Sequence, residues 1–64
     1  MKKYMVIVGI RDREPVVRFY DSVSALRRYV SYLNAEGVIS YIELYVRGVW
    51  GYEKAGLETE LLYQ

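Results

Sequence analysis

Residues 21–37 read DSVSALRRYVSYLNAEG, and this stretch decides the fold class. Val23, Leu26, Tyr29, Val30 and Leu33 recur at helical spacing, while Arg27, Arg28 and Ser31 fall on the opposite side. Asp21-Ser22 places side-chain oxygens where they can accept from an orphan N–H of the first helical turn. Gly37, directly after Asn34-Ala35-Glu36, suits the left-handed residue that closes a helix. One amphipathic helix is expected, with one apolar stripe to bury.

The segments on either side carry the residue types of strands. Lys3–Ile10 is rich in Val and Ile and reads as a first strand. The polar cluster Arg11-Asp12-Arg13-Glu14-Pro15 suits a hairpin loop of four or five residues. It leads into a second strand at Pro15–Tyr20, where proline is tolerated at the first position. After the helix, Val38–Arg47 returns to strand alternation, with Ile42, Leu44 and Val46 on one face and Tyr41, Glu43, Tyr45 and Arg47 on the other. Beyond Arg47, Gly48 and Gly51 flank Trp50 and suit a bulge in one long strand. Glu53-Lys54-Ala55-Gly56 then suits a turn into a last strand over Leu57–Tyr63. Glu58, Glu60, Leu61 and Leu62 are good helix formers, so a helix is the alternative for that last element. The predicted order is β-β-α-β-β: one small α+β domain over residues 1–64, with an antiparallel sheet of three to four strands and one helix on one face.

Composition narrows the function classes. The chain is 53% hydrophobic with nine basic and eight acidic residues, too apolar and too weakly charged for a disordered segment. Charges interrupt every apolar run, so no membrane span is expected. The opening MKKYMVIVGI resembles a short secretion signal. Its apolar run, however, stops at Arg11-Asp12-Arg13-Glu14 without a small-residue cleavage site, which favours a strand and a cytoplasmic protein.

There is no cysteine and no histidine. Disulfides, zinc–thiolate sites and thiol nucleophiles are thereby removed, together with the commonest general base and transition-metal ligand. Carboxylates, tyrosines, lysines and arginines remain. Glu58 and Glu60 would share a strand face, but a chain of this length has little room for a cleft, and Gly48 and Gly51 do not form a phosphate loop. A non-enzymatic protein is expected, with no cofactor, metal or small-molecule substrate. Asn34 and Gln64 are the only amide side chains, and with eight tyrosines this resembles the usage of a hyperthermophile.

One helix covers one face of a sheet. The expected helix-facing set is Val6, Val8, Val17, Phe19, Ile42, Leu44 and Val46. The other face then holds Met5, Ile7, Val16, Arg18, Tyr20, Tyr41, Glu43, Tyr45 and Arg47. Met5 and Ile7 are as apolar as Val6 and Val8, and strands apolar on both sides are usually buried on both. The C-terminal segment, a second copy of the chain or a functional partner could cover it. The C-terminal segment is short enough to do so only in part, and a homo-oligomer, in the simplest case a dimer, is the expected cover. Met5, Ile7, Arg18, Tyr20, Tyr41, Tyr45, Arg47 and Trp50 are the candidate partner-binding residues, since tyrosine, tryptophan and arginine are enriched at protein interfaces.

Arginines among aromatic rings on a sheet also suit stacking of single-stranded nucleic acid, which makes an Arg/Tyr nucleic-acid module the alternative. The formal charge of only +1 counts against it. Charge is divided along the chain, with +3 over residues 1–52 and −2 over 53–64. A third option is assembly through exposed strand edges.

Overall fold

The computed structural model describes residues 2–56. The elements follow the expected β-β-α-β-β order: β1 (Tyr4–Ile10), β2 (Val16–Tyr20), α1 (Val23–Glu36), β3 (Ile39–Gly48) and β4 (Gly51–Lys54). The four strands form one antiparallel sheet in the order β2-β1-β3-β4. β2 and β3 both run antiparallel to β1, so they are parallel to each other, and α1 makes the crossover between them. β1 is therefore a central strand paired on both edges; α1 covers its Val6 and Val8 face, and Met5 and Ile7 lie on the other.

The helix is set at both ends as its sequence predicts. Ser22 is the N-cap, its Oγ accepting from the Ala25 N–H at 3.0 Å. Gly37 ends the helix at φ 70°, and its N–H donates to the Asn34 carbonyl. Leu26, Val30 and Leu33 are buried against Val6, Val8 and Leu44 of the sheet. Tyr4, Ile10, Tyr20, Tyr29, Val38, Ile39, Ile42 and Ala55 pack around that core. Arg11 ties the β1–β2 loop to the end of the helix: its N–H donates to the Val38 carbonyl at 2.8 Å and its guanidinium to the Gly37 carbonyl at 3.1 Å.

Two expectations are corrected. The first concerns β2, whose faces are the reverse of those expected. Val6 pairs with Arg18 on one side and Leu44 on the other, while Ile7 pairs with Val17 and Met5 with Phe19. Directly paired residues share a face, so Val16, Arg18 and Tyr20 lie on the helix side, and Val17 and Phe19 on the other. Apolarity along β2 alone favours the opposite assignment, but parity in a hairpin is set by its loop, and one residue more or less exchanges the faces. Here the Arg13 N–H donates to the Ile10 carbonyl across a turn in which Asp12 takes φ 60°, and that turn fixes the register.

The second correction concerns the second hairpin, whose turn comes earlier than expected. Gly48 pairs with Gly51, so β3 turns at Val49–Trp50, and Gly51–Lys54 is the return strand. The segment expected to form the end of a long strand and a turn is thus itself β4. Gly51 adopts φ 125°, a conformation that residues with a side chain rarely adopt, while Val49 and Trp50 keep negative φ. The irregularity expected at Gly48 and Gly51 lies instead at the other end of β3, where pairing steps from Gly9↔Tyr41 to Ile10↔Ile39 and leaves Ser40 as the extra residue. That bulge lets both Ile39 and Ile42 pack on the core, although one is odd-numbered and the other even. The strand or helix expected over 57–63 lies outside the described residues.

Candidate functional site: the open face of the sheet

The face turned away from α1 has two halves. β1 and β2 contribute Met5, Ile7, Val17 and Phe19, all apolar. β3 and β4 contribute Tyr41, Glu43, Tyr45, Arg47, Tyr52 and Lys54, which mix rings with charge. Val17, Phe19 and Tyr41 are each about half exposed, at 50%, 46% and 45%. Met5, Ile7, Glu43, Tyr45 and Tyr52 are partly shielded by their neighbours.

Part of that shielding comes from the sheet's own edges. Phe19 on β2 and Tyr52 on β4 belong to opposite edge strands, yet their ring centroids lie 5.7 Å apart. The Tyr52 hydroxyl continues past this contact and donates to the Lys2 carbonyl at 2.6 Å. At the other end of the face, the Tyr41 ring lies over Gly9, occupying the space a Cβ there would need. Such a ring over a bare stretch of backbone replaces the missing side-chain cover.

In the polar half, Glu43 is the acceptor for two neighbours. Lys54 Nζ lies 3.3 Å from its Oε2, and the Tyr45 hydroxyl reaches the same oxygen at 3.5 Å. A carboxylate therefore sits in the middle of this half, partly neutralised by one lysine.

Of the residues expected to share the site, Met5, Ile7, Tyr41, Tyr45 and Arg47 do lie together on the open face. Arg18 and Tyr20 lie on the other side of the sheet, at the margin of the helix. Arg18 stacks over Tyr29 with its guanidinium carbon 4.5 Å from the ring centroid, and its Nη1 is 3.5 Å from the Tyr20 hydroxyl. The Tyr20 and Tyr29 rings are 6.0 Å apart. The hydrogen bond to Tyr20, then the charge interactions with Tyr20 and Tyr29, raise the Arg18 pKa further above its ordinary value, so this cation is permanent. Its work is to brace α1 against β2 by a cation–π contact.

Trp50 is on neither face. With Val49 it forms the tip of the β3–β4 hairpin, 93% and 88% exposed respectively. Val17, Phe19, Tyr52 and Lys54 are members of the open face that the sequence pattern did not select. The first two follow once the parity of β2 is known, and the others once the turn is placed at Val49–Trp50.

On the outer side of α1, Ser24, Arg27, Arg28 and Ser31 line a shallow open depression of about 320 Å³. Among the described residues no three carboxylates gather closely enough to hold a metal ion, and no helix is long and apolar enough to cross a membrane. Neither a protein-family model, nor a characterised protein, nor a solved structure matches this chain.

Proposed function

We propose that this is a non-enzymatic binding protein that works through protein–protein association, beginning with itself, across the open face of its sheet. The observation that carries this reading is the contiguous apolar half of that face, where Met5, Ile7, Val17 and Phe19 lie side by side on adjacent strands with Val17 and Phe19 half exposed. The reversed parity of β2 strengthens the case, because it places two apolar side chains where an arginine and a tyrosine were expected. Contiguous exposed apolar patches commonly mark interaction sites. A 64-residue chain also buries a smaller share of its surface on folding than a larger domain does, and gains from association.

The nucleic-acid alternative draws less support from the same geometry. Arg18 is turned to the far side of the sheet and held on Tyr29. The cations left on the open face are Arg47 and Lys54, with Lys54 paired to Glu43, so a phosphate chain crossing the face would meet a carboxylate at its centre.

Light scattering on an eluting size-exclusion peak tests the proposal, at several loading concentrations and at low and high salt. The expected mass is twice 7.6 kDa, insensitive to salt. Val17→Glu, on a half-exposed edge position, is expected to give a folded monomer. A wild-type mass of 7.6 kDa at every concentration rejects self-association, and a nucleic-acid affinity that falls steeply with salt supports the alternative.

A further inference from the structure

The β3–β4 hairpin reaches beyond the rest of the sheet. β1 begins at Tyr4, opposite Val46, and β2 ends at Tyr20, opposite Tyr4. The Arg47 N–H still finds the Lys3 carbonyl, but Gly48, Val49, Trp50 and Gly51 pass the last strand pairing to β1. The two residues at this overhanging tip are the most exposed large hydrophobic side chains of the described chain.

The tip is also built to hold its shape. Two residues make the whole turn, Gly51 supplies the one unusual backbone angle, and the Glu53 carboxylate lies across Gly48, 2.9 Å from where its Cβ would stand. A rigid hairpin that presents a tryptophan loses little conformational entropy when that tryptophan is buried.

Area indicates what buries it. Four strands spaced ~4.8 Å apart and about five residues deep give a sheet face of roughly 300 Å² in plan. Side-chain relief raises that figure, but the face alone stays short of the ~800 Å² per partner of a standard stable interface. An exposed tryptophan brings about 200 Å² more, nearly all apolar, and Val49 adds to it. The open face lacks area, and the tip has area that no described residue covers.

We infer that the Val49–Trp50 tip is an exchanged arm, seated in the dimer on the apolar half of the second copy's open face, against Ile7, Val17 and Phe19. This rests on the self-association reading above. The apolar half is the landing place because the other half carries Glu43, Arg47 and Lys54, charges that a tryptophan and a valine would have to desolvate. Reciprocal exchange fits a two-fold axis: the tip and the apolar half together make one self-complementary surface, so the tip of each copy meets the apolar half of the other.

Trp50 is the only tryptophan, so the test reads it directly. The full chain is diluted through its association range, with mass by light scattering and tryptophan emission with acrylamide quenching recorded at each concentration. The expected result is that emission moves to shorter wavelength and quenching falls as the mass doubles. Trp50→Ser is expected to raise the dimer dissociation constant on the order of thirtyfold, as truncation of a hot-spot residue does. Because the side chain is almost fully exposed, that variant keeps the monomer fold.

A dimer in which Trp50 stays as open to acrylamide as in the Val17→Glu monomer, or a Trp50→Ser variant that dimerises like the wild type, overturns the arm and leaves the face reading standing. A shielded Trp50 in a dimer that Val17→Glu does not weaken overturns the landing place and the face reading together. A monomer at every concentration removes both.

Discussion

The rings of Phe19 and Tyr52 meet at 5.7 Å although the strands that carry them lie on opposite edges of the sheet, with β1 and β3 between. Neither residue is next to the other in sequence or in strand pairing. The contact spans the face that the helix does not cover, and the Tyr52 hydroxyl locks it to the backbone at Lys2. It therefore joins the segment leading into β1, the second strand and the last described strand through one aromatic pair.

Tyr52→Phe separates the two parts of this arrangement. The ring contact is kept and the hydrogen bond to the Lys2 carbonyl is lost, at an expected cost of about 1 kcal/mol. For a chain of this size that lowers the melting temperature by roughly 4–8 °C. Phe19→Ala removes the ring pair and its apolar cover and is expected to cost more. Thermal unfolding followed by near-ultraviolet circular dichroism checks both. A Tyr52→Phe variant as stable as the wild type means that water replaces the bond without loss.

Much of the fold was legible because local signals agreed with one another. The apolar stripe of Val23, Leu26, Val30 and Leu33, the Ser22 cap and the Gly37 stop all specify the same helix, and the helix appears between the residues they mark. β2 was harder because its side chains do not identify its faces. Val17 and Phe19 are the more apolar set, yet Arg18 and Tyr20 take the helix side by stacking on Tyr29. A cation lying on a ring looks polar in a sequence and behaves as partly apolar cover in a structure. The turn of the second hairpin falls earlier than its sequence suggests for another reason. Gly48 and Gly51 bracket two bulky apolar residues, and Val49-Trp50 is not a turn-forming pair by type, so the whole signal lay in the glycines. On the open face the error was one of phase: Met5, Ile7, Tyr41, Tyr45 and Arg47 come from strands whose alternation was read correctly, while Arg18 and Tyr20 came from the one that was reversed.

The loop that sets the phase of β2 carries a strained residue. Asp12 holds φ 60°, where a residue with a Cβ loses energy and glycine does not. Asp12→Gly is expected to raise stability by about 0.5 kcal/mol, since the greater freedom of glycine in the unfolded chain offsets part of the relief. Denaturant titration measures it, with an increase in midpoint at constant slope as the expected outcome. A loss of stability would show that the Asp12 side chain supports the turn by more than its backbone strain costs.

At the β3–β4 turn the substitution runs in the other direction. Gly51→Ala forces a Cβ into φ 125° and is expected to cost about 1–3 kcal/mol. Space is not the obstacle, because nothing lies within 4 Å of where that Cβ would stand. Amide exchange should show the effect concentrated in β4 and the end of β3, with the β1–β2 hairpin spared. Uniform loss of protection would mean that β4 unfolds only with the whole sheet.

Gly9 and Tyr41 form a cross-strand pair in which one partner has no side chain and the other covers for it. Gly9→Ala drives the Tyr41 ring off the strand. The variant is expected to lose about 1–3 kcal/mol, in the range of other overpacked sites. Tyr41→Ser removes the same cover from the opposite side and exposes the β1 backbone at Gly9. Once the ring is gone, the alanine has nothing to collide with, so the double variant should lose clearly less than the sum of the two single losses. Chemical denaturation of the four members of the cycle gives the coupling, expected at about 1 kcal/mol for residues in direct contact. Additive losses would mean that the ring swings aside freely when Gly9 gains a side chain, and that its place over β1 contributes nothing to holding the open face in shape.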